Sequence, residues 1–246
     1  MTWAAASCAL DPEAVRAALG RVGVVVIEGA HVSDDAFVAF LEALGPLTFT
    51  AGETPLEGQP KLNVVSNRGR TTPPRSVFHT DTSYVSRPPA FTALKAEAIP
   101  RSGGETVFTN QFDAHDRLDP ALRDRLRGAR VLHRVTGVAP GAGAETEIWH
   151  PLFRRHPVSG RTALFLSTPE RCVALRLRDG ARADGLVARL YDHSTDPAHE
   201  WRHRWGAGDV VVWDNRCTLH RGDHSAVQGD RVLHRGMVAG EAPIAA

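Results

Sequence analysis

The chain has 246 residues, 42% hydrophobic and 23% charged, with 29 Lys and Arg against 28 Asp and Glu, the profile of one globular domain with one sizeable core. A formal net charge of +1 excludes a generic polyanion binder, because holding nucleic acid or anionic lipid needs a basic field that the acidic residues here cancel. Cys8, Cys172 and Cys217 are too few and too scattered for a disulfide framework, and neither a secretory leader nor an apolar run of about 18 residues is read, so a cytoplasmic protein away from the membrane is expected. Of the 29 basic residues, 27 are arginines. Coding bias explains most of them, but Arg alone grips carboxylates in a bidentate fashion.

Asp11 to Leu19 has helical character, with Pro12 at a helix-start position and Gly20 as the stop, and Val22 to Ile27 is a β-branched run suited to a buried strand. Ser33 caps a second helix, Asp34 to Leu44, closed by Gly45-Pro46. From Leu62 onward the pattern changes to short strand-like runs at Lys61 to Ser66, Phe91 to Ala98, Thr106 to Thr109, Ala163 to Ser167, Asp209 to Trp213 and Arg231 to Ala239. Helical pieces at Pro120 to Arg127 and Ala181 to His193 interrupt them. The expectation is a mainly β sandwich or jelly roll with flanking helices, preceded by an N-terminal α/β segment. Residues 1–60 form the lead-in and 61–240 the core of a single domain covering 1–246. Pro/Gly-rich loops near 68–78 and 137–150, centred on Arg68 to Arg75 and Gly137 to Glu147, are candidate lids.

Phe78-His79-Thr80-Asp81 carries the chemistry. In a strand, residues two apart share a face, so His79 and Asp81 project together as two corners of a metal site. Trp213-Asp214-Asn215-Arg216-Cys217-Thr218-Leu219-His220 brings a third donor, because a β run feeds a polar turn that ends on His220. Two histidines and a carboxylate are the donor set of the non-haem Fe(II) facial triad, which leaves positions open for other molecules. Arg231, Leu233 and Arg235 alternate in the last strand, and two inward guanidiniums are tolerated only where each meets an anion. Gly103-Gly104-Glu105-Thr106 adds a hydroxyl at the start of another strand.

These residues, with His150-Pro151-Leu152 and His156-Pro157-Val158-Ser159-Gly160 between them, resemble the taurine dioxygenase (TauD/TfdA) family of iron and 2-oxoglutarate-dependent oxygenases over roughly Asn63 to Gly240. The offsets agree as well: Thr106 lies 27 residues after His79, His220 seven after Trp213, and Arg231 and Arg235 eleven and 15 after His220. The resemblance implies a double-stranded β-helix, the cupin-like jelly roll. It implies Fe(II) on His79, Asp81 and His220 as the catalytic centre, with 2-oxoglutarate and O2 as cosubstrates. The distal carboxylate of 2-oxoglutarate would meet Arg231 and Thr106. Arg235 matches the position that grips an anionic substrate in sulfonate-using members, and Arg75 and Trp213 are further candidates for lining the substrate pocket. Halogenating relatives lack the carboxylate that Asp81 supplies, so hydroxylation of a small anionic or zwitterionic molecule is expected, with desaturation and ring closure open. Members of the family commonly associate, so a homo-oligomer is compatible with the resemblance.

Two other readings compete. His199-Glu200-Trp201-Arg202-His203 spells the H-E-x-x-H of zinc metallopeptidases, which requires a helix, whereas Pro197, Gly206 and the alternation of Trp201, His203 and Trp205 suggest a strand. A non-catalytic jelly-roll binding protein is the other, and the intact His79, Asp81, His220, Thr106 and Arg231 set argues against it.

Overall fold

The computed structural model describes residues 10–72 and 76–246. Asp11 caps the first helix, Pro12–Val22, by accepting from the Glu13 amide at 3.0 Å, and the helix ends at Gly23, whose φ of 79° suits glycine. The expected stop at Gly20 is therefore corrected. Gly20 lies inside the last turns because a side chain there would meet Val158 at 3.2 Å, so close packing rather than chain termination selects the glycine. The second helix, Asp34–Leu44, begins at Ser33 as expected, and Ser33 Oγ accepts from the Ala36 amide.

Five antiparallel strands, Val24–Ile27, Val210–Asp214, Phe91–Ala98, Val232–Val238 and Leu47–Thr48, form the larger sheet in that order. Asn63–Ser66 also pairs with Val232–Val238. The apolar run at Val24–Ile27 has no polar alternation because both of its faces are buried. Val25 and Ile27 meet the two N-terminal helices through Val15, Leu19, Phe37 and Leu41, while Val24 and Val26 join Leu94, Val211, Trp213 and Leu233 in the interior. Fully burying each such side chain contributes about 1.5–3 kcal/mol.

A second sheet has Thr106–Asn110 between Glu200–His203 and Thr218–Gly222. Phe108 from this sheet enters the same interior cluster as Trp213 and Leu233, so the two sheets enclose one core, as in a jelly roll. Two smaller sheets, Cys172–Arg176 with Arg130–Arg134 and Glu147–Pro151, and Thr162–Leu164 with Phe153–Arg155 and Ile244–Ala245, pack with the helix Leu186–Ser194 at one end. That helix starts five residues later than expected, because Arg176 bridges Arg182 and Asp184 accepts from the Leu175 amide, holding 181–185 as a turn. Among the described residues no helix is long and apolar enough to cross a membrane.

Candidate active site

His79 and His220 are joined by an antiparallel backbone bridge, each amide donating to the other's carbonyl at 3.0 Å, and their ring centroids lie 4.3 Å apart. His79 sits in an extended segment held by that one bridge rather than in a full strand. The chain turns immediately after Asp81, where Thr82 has a φ of 44°, a conformation that costs a non-glycine residue energy and clusters at functional sites. The turn brings Asp81 beneath the two imidazoles: His79 Nε2 is 3.6 Å from Oδ1 and His220 Nε2 3.8 Å from Oδ2. One donor atom from each residue lies within 4.8 Å of the other two.

The protonation states suit a divalent cation. His79 Nδ1 donates to the Val77 carbonyl at 3.0 Å, which turns Nε2 toward Asp81. Burial pushes His220 down to about 3, beyond what Asp81 restores, so its imidazole is neutral. Burial opposes ionisation of Asp81, but His220, His79 and Arg235 together hold its carboxyl well below the usual range. Two imidazoles and a carboxylate, none closed by a strong hydrogen bond between them, fit Fe(II).

A hydrogen-bond chain that no motif announced orients the carboxylate. Thr92 Oγ1 donates to Asp81 Oδ2 at 2.7 Å and accepts from Asn215 Nδ2 at 2.8 Å, while Asn215 Oδ1 accepts from Trp213 Nε1 at 3.1 Å. The Trp213-Asp214-Asn215 run therefore acts partly through Thr92. Trp213, 1% exposed, also packs on His220 with ring centroids 4.4 Å apart.

Arg231 precedes the strand Val232–Val238 and is 2% exposed. Its Nε donates to the Gly104 carbonyl at 2.8 Å and its Nη2 to Thr106 Oγ1 at 3.1 Å, and no carboxylate among the described residues pairs with it. Burial lowers it to about 10, still charged at neutral pH. Gly104 has a φ of 79°, and a Cβ there would lie 3.0 Å from Arg231 Cδ, which accounts for the glycine. Trp205 Nε1 also donates to Thr106 Oγ1, at 3.1 Å. With two donors on its oxygen, the Thr106 hydroxyl proton is available to an acceptor. Phe108 is opposite His220 in the register and Thr106 opposite Gly222. Thr106 is thus about 7 Å along the strand from the histidine's partner.

Arg235, expected on one face with Arg231, meets an anion of the chain itself. It forms an ion pair with Glu53, donates from Nε to Asn63 Oδ1 at 3.0 Å, and has Nη1 3.8 Å from Asp81. A cavity of about 140 Å3 opens beside His79 and Asp81, with Glu53, Tyr84, Arg171 and Arg235 in its walls. Of the candidate lids, Thr136, Gly137 and Val138 border this cavity, and Glu145 anchors that loop by accepting from the Ser86 amide and hydroxyl. Arg68 at the other loop pairs with Asp230 at 2.7 Å, whereas Arg75 lies outside the described residues.

The H-E-x-x-H segment is not helical. His199 ends a short 3-10 turn and Glu200–His203 is a strand paired with Thr106–Asn110, so the two histidines do not stack one turn apart. His203 pairs with Asp209 at 3.1 Å and Glu200 with Arg202 at 2.7 Å.

The family model "Taurine catabolism dioxygenase TauD, TfdA family" matches residues 2–237. An alpha-ketoglutarate-dependent 2,4-dichlorophenoxyacetate dioxygenase of Cupriavidus pinatubonensis is 29% identical, over 90% of this chain and 86% of its own. An alpha-ketoglutarate-dependent sulfate ester dioxygenase of Pseudomonas putida is 30% identical, over 94% and 82% respectively. The crystal structure of a taurine dioxygenase from Burkholderia xenovorans superposes with a TM-score of 0.80 at 31% identity, covering 97% of this chain and 86% of that one.

Proposed function

The chain belongs to the TauD/TfdA family of alpha-ketoglutarate-dependent dioxygenases, enzymes that use Fe(II), 2-oxoglutarate and O2, and from that premise we propose that it hydroxylates a small anionic or zwitterionic molecule. His79, Asp81 and His220 hold the metal in this reading, and Arg231 with Thr106 holds the far carboxylate of 2-oxoglutarate. The observation that carries it is the buried Arg231, lacking any carboxylate partner among the described residues and set beside a hydroxyl with a proton to donate. A permanently charged planar fork in that state is built for a carboxylate from outside the chain. The strand separation between Thr106 and the residue facing His220 suits a short dicarboxylate.

Fe(II) held by His79, Asp81 and His220 would supply O2 activation, with O2 as the oxidant and 2-oxoglutarate as the cosubstrate that leaves as succinate and CO2. The chain's own residues do the rest. Val77 fixes the His79 ring, Thr92 fixes the Asp81 carboxylate, and Trp213 and Phe108 wall the His220 ring off from water. The loop at 136–138 borders the cavity in which a C–H bond is presented.

Succinate release by the Fe(II)-loaded protein with 2-oxoglutarate and ascorbate tests the cosubstrate assignment. A mass gain of one oxygen on a co-incubated sulfonate, sulfate ester or aryloxy acid, or release of sulfite, sulfate or a phenol with the matching carbonyl fragment where the hydroxyl lands beside the heteroatom, tests the hydroxylation. Absence of even uncoupled succinate formation overturns the reading, as does full activity in His79→Ala.

A further inference from the structure

The cavity beside His79 and Asp81 contains two arginines in opposite electrostatic states. Arg235 is neutralised within the chain by Glu53, with Asp81 close by and Asn63 accepting from Nε. Arg171 is not. Its Nη1 donates to the Thr80 carbonyl at 2.9 Å and its Nη2 to Thr136 Oγ1 at 3.2 Å, and both of these acceptors are uncharged. Its buried Nε has no hydrogen-bond partner, and Asp81, the carboxylate whose charge acts on it, is beyond ion-pair distance, so among the described residues no carboxylate pairs with it.

Beside it stands a second unused donor. The Arg171 guanidinium carbon lies 5.5 Å from the centre of the Tyr84 ring, and Tyr84 is 2% exposed with a hydroxyl that has no hydrogen-bond partner. A guanidinium has five N–H donors, and Arg171 engages only two. Cations and phenols withdrawn from water are normally matched by the chain, as Arg235 is. An unmatched pair in the wall of the cavity that holds the metal residues marks the place where a ligand completes the match. The Thr80 carbonyl also ties Arg171 to the residue between His79 and Asp81, which fixes the cation's position relative to the metal residues.

We propose that Arg171 and Tyr84 form the seat for the anionic group of the substrate, a carboxylate, sulfonate or sulfate, and that Arg235, already occupied by Glu53, is a positioning residue for Asp81. The proposal deepens the dioxygenase reading and rests on it for the role of the cavity. It separates this chain from a scheme in which the strand arginine fifteen residues after His220 carries the substrate's charge.

The test is calorimetric titration of the protein loaded with Mn(II) and N-oxalylglycine, a 2-oxoglutarate analogue that is not turned over. The probes are 1-butanesulfonate, butyl sulfate and phenoxyacetate, with neutral 2-phenoxyethanol as the control. At least one anion is expected to bind and the neutral control to bind about tenfold more weakly or worse. Arg171→Gln should weaken anion binding about tenfold or more, Arg171→Lys should restore part of it, and Tyr84→Phe, which removes only a hydroxyl without a partner, should weaken it about threefold. The affinity for N-oxalylglycine should stay within about twofold in all three.

Unchanged anion binding in Arg171→Gln overturns the proposal, as does failure of every anion to bind the wild type. A larger loss in Glu53→Gln/Arg235→Gln than in Arg171→Gln returns the role to Arg235. Anion binding that depends on Arg171 in a protein that does not take up N-oxalylglycine would instead sink the dioxygenase reading and leave the seat standing.

Discussion

Asp81 and Asp214 are both buried carboxylates beside imidazoles, and the chain treats them in opposite ways. Asp214 is closed: Arg216 reaches it from Nε at 2.8 Å and Nη2 at 2.6 Å, the Arg216 amide at 2.9 Å, and His156 Nε2 at 3.0 Å. Arg154 and Glu241 continue the network, the first bonded to the second at 2.7 Å. Asp81 accepts one hydrogen bond inside that range, from Thr92, while both histidines and Arg235 stand 3.6–3.8 Å away. Each aspartate anchors a cluster with metal-ligand chemistry, since His156, Asp214 and Cys217 also converge. In the second cluster, however, every acceptor position is filled, and burial raises the Cys217 thiol so that it stays protonated. A charge closed by its own chain holds structure together, and a charge left open serves a ligand.

The largest contrast comes from cutting each carboxylate. Asp81→Ala should abolish Mn(II) uptake and turnover while moving the melting temperature of the metal-free protein by less than about 4 °C, because Arg235 keeps Glu53. Asp214→Ala strands Arg216 in the interior and should cost about 3–5 kcal/mol, a fall of roughly 10 °C in a thermal melt. A collapse of the Asp81→Ala fold would break the distinction.

Acid sharpens the same point. Burial opposes ionisation of Asp214, but Arg216 and His156 outweigh it and hold the carboxyl well below the usual carboxylate range. A carboxylate whose folded pKa is depressed adds stability above its unfolded pKa of about 3.9, and that stability is lost as pH falls through the folded value. Melting temperatures of the wild type should therefore drop below pH 4 more steeply than those of Asp214→Ala.

Two of the buried arginines divide in the same manner. Arg216 is held by Asp214, whereas among the described residues the Arg231 guanidinium is bonded only to the Gly104 carbonyl and the Thr106 hydroxyl. Arg231→Gln should raise the KM for 2-oxoglutarate about 100-fold, the worth of a charge-assisted pair. It should leave the melting temperature level or higher, because it removes a buried cation without a counter-ion. A Tm loss as large as that of Asp214→Ala would mean that Arg231 is structural.

What was legible in the sequence follows this division. Thr106 and Arg231 stand at the starts of strands, His220 lies within one, and His79 and Asp81 lie in a short motif at an isolated bridge and the turn after it; the structure brings the five together in two adjacent groups. The strands themselves were readable because both faces of Val24–Ile27 and Val210–Asp214 are buried. Boundaries were not, and Gly20 shows why: its glycine answers to Val158, 138 residues away in the chain, and not to its own helix. Partners supplied by remote segments were equally hidden. Glu53 reaches Arg235 from 182 residues away, and Arg171 and Thr92 sit in stretches with no spacing to mark them, so alternation could place Arg235 on the inward face without telling that its charge was already met.

Thr92 offers the finest cut. It touches no part of the proposed ligand set except one oxygen of Asp81, and it passes the orientation of Trp213 and Asn215 to that carboxylate through two hydrogen bonds of 2.7 and 2.8 Å. Thr92→Val keeps the shape of the β-branched side chain near the start of a strand and removes the hydroxyl alone. If the hydroxyl only satisfied a buried amide, the cost would appear in the melting temperature and leave metal binding unchanged. If it aims the carboxylate, Mn(II) affinity should fall about tenfold, as for other groups that orient metal ligands. Thr92→Ser, which restores the hydroxyl but not the methyl, should then recover the affinity while remaining less stable than the wild type. Rescue by serine separates orientation from packing, because a purely structural Thr92 would leave Mn(II) affinity unchanged in both variants and show its cost in the melting temperature alone.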